Sequence, residues 1–105
     1  MNSFFYMKEA SKTKLNQSTY KKIKAVDPYT EETWERIVKR IFLLCRMKNM
    51  NINTLAIQAG ITPSTLKSIL YGNSKNTGIV TLRHICDGLD ISLEEFFHSR
   101  LFREW

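Results

Sequence analysis

Between Thr30 and Asn49 the apolar side chains Trp34, Ile37, Val38, Ile41, Phe42 and Cys45 recur in steps of three and four. That spacing places them on one stripe of an α-helix, to be buried against a core. Thr30 is the expected cap, with Glu31 and Glu32 in the first turn, where the helix dipole favours carboxylates. Asn49 breaks the pattern. Asn51 caps a second helix over roughly 52–59, with Ile52, Leu55, Ala56 and Ala59 turned inward. Gly60 stops it, because glycine readily takes the left-handed conformation that follows a helix end. Thr62 caps a third helix at once. Pro63 takes its first position, where a missing N–H costs nothing, and Leu66, Ile69 and Leu70 face inward. After the polar loop GNSKNTG, residues 72–78, a fourth helix is expected over about 79–88, with Val80, Leu82, Ile85, Cys86 and Leu89 apolar. Ser92 and Glu95 have the spacing of a capping box. They open a fifth helix that carries Leu93, Phe96, Phe97, Leu101, Phe102 and Trp105. No stretch alternates with the period of two that a strand requires, so the fold class is all-α.

Residues 1–28 lack this periodicity. They hold six lysines among Ser, Thr and Asn and end at Asp27-Pro28, a turn and boundary signal. The expected organisation is a basic, loosely ordered arm over 1–28, a helical domain over 29–98 and an aromatic extension of the fifth helix over 99–105. A chain of 105 residues that is 43% hydrophobic can build one core without disulfides or a metal. Cys45 and Cys86 fall within apolar helical patterns and form no CxxC pair, so they read as small buried residues in a reducing compartment. No apolar run approaches the ~20 residues of a membrane span. The opening MNSFFYMKEASK lacks the apolar core of a signal peptide. A soluble, cytoplasmic protein with no membrane partner is expected.

Charge adds a direction. The net charge is +6, and from Arg36 to Cys86 there is no Asp or Glu, while Arg36, Lys39, Arg40, Arg46, Lys48, Lys67, Lys75 and Arg83 fall inside that stretch. The acids lie on either side. A surface of one sign in a folded region suits a polyanion, though it also serves general solubility. Two short helices joined by a glycine-bearing turn of three to four residues describe a helix-turn-helix, which leaves the outer side of its second helix free. Enzymatic chemistry has no visible footing. The acid-free centre offers no carboxylate pair, and His84 and His98 stand apart without metal-ligand spacing. No cofactor or metal is expected.

LAIQAGITPSTLKSILYG over residues 55–72, and TLRHICDGLDISLEEFF over 81–97 in register with it, resemble the phage repressor, Cro and Xre-type bacterial regulators. The resemblance covers about residues 30–98. It implies a five-helix repressor-like DNA-binding domain, often dimeric on two-fold-symmetric operators, with the third helix in the major groove. Carried onto this chain, it makes Ser64, Lys67 and Ser68 the base contacts, with Lys67 suited to guanine O6 or N7 and equally to phosphate. Asn51, Thr62, Thr65, Tyr71 and Lys75 become contacts to the DNA backbone, which position without reading sequence. A solvated helix surface is the plain alternative for the two serines, and cover for the core edge the alternative for Tyr71. Many members have glutamine where Ile52 stands and a long polar residue at Pro63. Many also pair an arginine with a glutamate where Cys45 and Leu70 stand here, so that an apolar contact replaces an ion pair.

Leu101, Phe102 and Trp105 exceed what a five-helix core needs and are the expected dimer surface, or else pack back onto the first helix or the arm. The functional expectation is a sequence-specific DNA-binding regulator of double-stranded DNA, a repressor and a homodimer. The alternatives are an antitoxin-like module that binds a protein partner and a nonspecific architectural binder.

Overall fold

A computed structural model describes residues 27–103, and the arm over 1–26 and Trp105 lie outside the described residues. Among these residues run α1 (Pro28–Met47), α2 (Ile52–Ala59), α3 (Pro63–Leu70), α4 (Ile79–Gly88), α5 (Leu93–Phe97) and α6 (Arg100–Arg103), with no strand. The all-α expectation holds, with six helical segments where five were expected.

The start of α1 differs from the expectation. Asp27, not Thr30, is the cap: its Oδ1 accepts from the Tyr29 amide at 2.9 Å, and Pro28 takes the first helical position. The Asp-Pro pair thus ends the arm and starts the helix together. The buried stripe is also rotated. Val38, Ile41, Leu44 and Cys45 are buried, whereas Phe42 is 42% exposed. The run IFLLC is apolar on every side, so spacing alone does not select its inner face.

The turns between α1 and α3 follow the sequence closely. Asn49 takes a left-handed φ of 51° after α1. Asn51 Oδ1 accepts from the Thr54 amide at 2.8 Å. Gly60 is left-handed at φ 71°, and the Ile61 amide reaches back to the Ala56 carbonyl at 3.1 Å, the six-to-one bond of a Schellman ending. Thr62 Oγ1 accepts from the Thr65 amide at 3.1 Å, and Pro63 opens α3.

The core is closed by Ile41, Leu55, Leu66, Ile85, Leu89 and Phe96, each with no exposed surface. Fully burying such a side chain stabilises by roughly 1.5–3 kcal/mol. Of the apolar residues on α4, Val80 is 68% exposed, beside Ile79 at 61%. Leu82, Ile85 and Cys86 already fill the inward side of α4. Its last residue, Gly88, meets α2: a Cβ there would lie 2.8 Å from the Ala59 nitrogen.

Ser92 and Glu95 form the expected capping box. The fifth helix does not continue to the end of the chain, however. It stops at Phe97, and His98 and Ser99 separate it from α6. Two arginines of α1 explain the stop. Arg40 donates to the Phe96 carbonyl at 2.7 Å and to the Glu95 carbonyl at 2.8 Å, and Arg36 donates to the Leu101 carbonyl. The Phe96 and Leu101 carbonyls, which a longer helix would satisfy internally, are satisfied from α1 instead, and the Glu95 carbonyl is shared between Arg40 and the His98 amide at 3.2 Å. The chain folds back, and Phe102 meets Phe97 edge to face, with ring centroids 4.9 Å apart.

Candidate nucleic-acid interface

α3 is amphipathic in the plain sense. Leu66, Ile69 and Leu70 are buried, while Ser64, Thr65, Lys67 and Tyr71 are exposed and Ser68 is half-buried. The turn before it sets this orientation. A Cβ at Gly60 would meet open space, so the glycine is required by its left-handed backbone alone. The turn ends α2 and lets α3 begin within three residues, with its outer side exposed.

The expected base contacts stand on that outer side, but a ridge divides them. A polar cleft on one flank is lined by Thr65, Ser68, Ser74, Asn76, Thr77 and Thr81. A more apolar groove on the other flank is lined by Phe42, Arg46, Met50, Asn51, Asn53 and Lys67. Ser68 and Lys67 therefore face different flanks, and Ser64 lies near the amino end of the ridge. Thr81 and Asn53 join these flanks from α4 and α2. Nothing in the spacing of α3 points to them, because they arrive through the packing of other helices.

The expected backbone contacts divide as well. Asn51 keeps its amide nitrogen available while its oxygen caps α2. Thr62 Oγ1 lies 2.8 Å from Thr65 Oγ1, so the two hydroxyls form one small donor–acceptor unit at the start of α3. Tyr71 is 64% exposed at the helix end. Lys75 lines neither flank. Its Nζ lies 2.7 Å from Glu31 Oε2 and 5.2 Å from the centroid of the Trp34 ring.

The acid-free stretch thus serves two ends. Arg36 and Arg40 hold the C-terminal segment, and Lys75 is engaged with α1. Lys39, Arg46, Lys48, Lys67 and Arg83 are exposed and form no ion pair among the described residues. These five supply outward positive potential. Leu101 and Phe102 are partly buried against the domain, so much of the expected dimer surface is already covered within one chain.

Burial raises both thiols above their ordinary value. For Cys86 the value is pushed up to about 11, with the Asp87 carboxylate adding to the effect of burial. Both are free and buried, and protonated thiols are poor nucleophiles. Among the described residues no group of three or more His, Cys, Asp or Glu is placed to hold a metal ion, and no helix is long and apolar enough to cross a membrane. Cys45 and Leu70 sit in the same buried cluster, as an apolar replacement for an ion pair requires.

A family model for the Cro/C1-type helix-turn-helix DNA-binding domain matches residues 40–98, more than half of the chain. No curated protein and no solved structure matches it.

Proposed function

We propose that this chain, which belongs to the Cro/C1-type helix-turn-helix DNA-binding family, is a sequence-specific transcriptional regulator that lays α3 in the major groove of an operator. One observation carries the reading. The hydroxyls of Ser64, Thr65 and Ser68 and the ammonium of Lys67 stand on the outer side of a helix whose inner side is sunk in the core. Ser64 and Ser68 reach base edges, and Lys67 donates to guanine. Asn51, Thr62, Thr65 and Tyr71 lie along phosphates. With no amide or guanidinium on α3, DNA shape contributes a share of the preference.

The regulatory sign we assign is repression, in the cytoplasm, because occupying a promoter excludes other proteins without any further contact. The assembly we assign is a homodimer that pairs through Trp105 and the parts of Leu101 and Phe102 that the domain leaves uncovered. Its half-sites are then about one helical turn, ~34 Å, apart.

Selection of bound duplexes from a randomised library at physiological salt tests this, since nonspecific contacts weaken there. The expected result is an inverted repeat. Replacing both Ser64 and Ser68 with alanine is expected to relax the recovered preference by roughly tenfold while weak general binding remains. Unchanged preference in that variant would put the reading surface elsewhere.

A second reading is an antitoxin-like or other protein-interaction module. It draws on Leu43 and Met47, 46% and 77% exposed at the far end of α1. Bound DNA without a motif, or no bound DNA, moves the weight to that reading.

A further inference from the structure

The carboxyl end of α3 is finished by donors from three places. The Lys67 carbonyl accepts from the Tyr71 amide and the Ser68 carbonyl from the Ser74 amide, each at 2.9 Å. The Ile69 carbonyl accepts from the indole N–H of Trp34 at 2.6 Å, a side chain 35 positions away in sequence. The same indole backs the following turn, where a Cβ at Gly72 would lie 3.4 Å from Trp34 Cζ2. Lys75 sits over the ring and pairs with Glu31, one turn before Trp34 on α1. Glu31 and Trp34 both precede the residues that the family model matches.

We infer that Trp34 is a positioning residue for DNA reading, and that Lys75 is a strut for it rather than a phosphate contact; this rests on the DNA-binding function proposed above. The partly exposed ion pair alone would hold little. The hold comes from the indole bond to an otherwise unpartnered helix carbonyl and from the cation over the ring face. Thr62 and Pro63 pin the amino end of α3. Buried Ile69 and Leu70 keep the carboxyl end in the core, but without Trp34 that end would shift about the pin by enough to misplace Ser68. Base contacts demand donor–acceptor distances within a few tenths of an ångström, whereas phosphate contacts by flexible lysines do not.

The test compares Trp34→Phe, Lys75→Met and Lys75→Arg with the wild-type chain, on the duplex recovered by selection and on a scrambled duplex of equal length, across a salt series. Trp34→Phe is expected to keep a cooperative thermal transition, to lose about three- to tenfold in preference for the selected duplex, and to keep the salt slope. Amide exchange of Tyr71 and Ser74 should speed up while the core amides stay protected. Lys75→Met, at a partly exposed site, is expected to lose preference about threefold with the salt slope unchanged. Lys75→Arg, which keeps the charge and the stacking, should match the wild type. A Lys75→Met slope lower by about one unit with intact preference would mark a phosphate contact and overturn the strut. Wild-type preference and wild-type exchange in Trp34→Phe would overturn the positioning role. If Trp34→Phe does not fold, Lys75→Met and Lys75→Arg decide. Should the wild-type chain bind no duplex, both readings fall; should it bind with preference while the folded variants match it, this one falls alone.

Discussion

At its amino end α3 is held by its own neighbours in sequence: Gly60 turns the chain, Thr62 caps the helix and Pro63 opens it. At its carboxyl end it is held by α1, through an indole bond to the Ile69 carbonyl and a lysine drawn back toward Glu31. The first hold is local and costs little to form, because the residues involved are already adjacent. The second requires the core to assemble before Trp34 can find its acceptor. One short helix therefore combines a start encoded within a few residues with a finish that depends on the tertiary fold.

Substitutions can test how independent these two ends are. The largest effect is expected from Leu66→Ala, which removes the anchor beneath both. Leu66 has no exposed surface, and such truncations cost about 2–5 kcal/mol. Chemical denaturation should show the loss as a lower midpoint with an unchanged slope. Next comes Gly60→Ala. Nothing would clash with the new methyl, so the cost is the left-handed backbone itself, about 1–2 kcal/mol. A loss well above that range would show that the turn is tied to the remote end as well. The smallest effect is expected from Thr62→Ala, about 1 kcal/mol for a lost cap. If the two ends are independent, the costs of Thr62→Ala and Trp34→Phe add; a double-mutant cycle that departs from additivity by more than about 0.5 kcal/mol would show that they are coupled.

The same division explains what could be read from the sequence. Asn51, Gly60, Thr62, Pro63 and the Ser92–Glu95 box are features of a few consecutive residues, and each stands where its chemistry suggested. Phe42 was misplaced because its neighbourhood is apolar on several sides, and only packing against other helices decides which side is covered. The break after Phe97 was hidden because its cause lies on α1, in Arg36 and Arg40. Those two arginines, like Lys75, looked like part of a basic surface, since charge counted along a chain does not distinguish a cation facing solvent from one bound to a carbonyl. The outward row of α3 was legible; the flanks beside it, with Thr81 and Asn53, were not.

The close approach of Gly88 to the Ala59 backbone has a mechanical consequence. Two helices cushioned by long side chains can slide or rock as those side chains change rotamer. Where backbone rests almost directly on backbone, there is no such cushion. α2 and α4 should therefore move as one stiff body, and whatever adjustment the domain makes when it meets a ligand is left to α3 and the turns at its two ends.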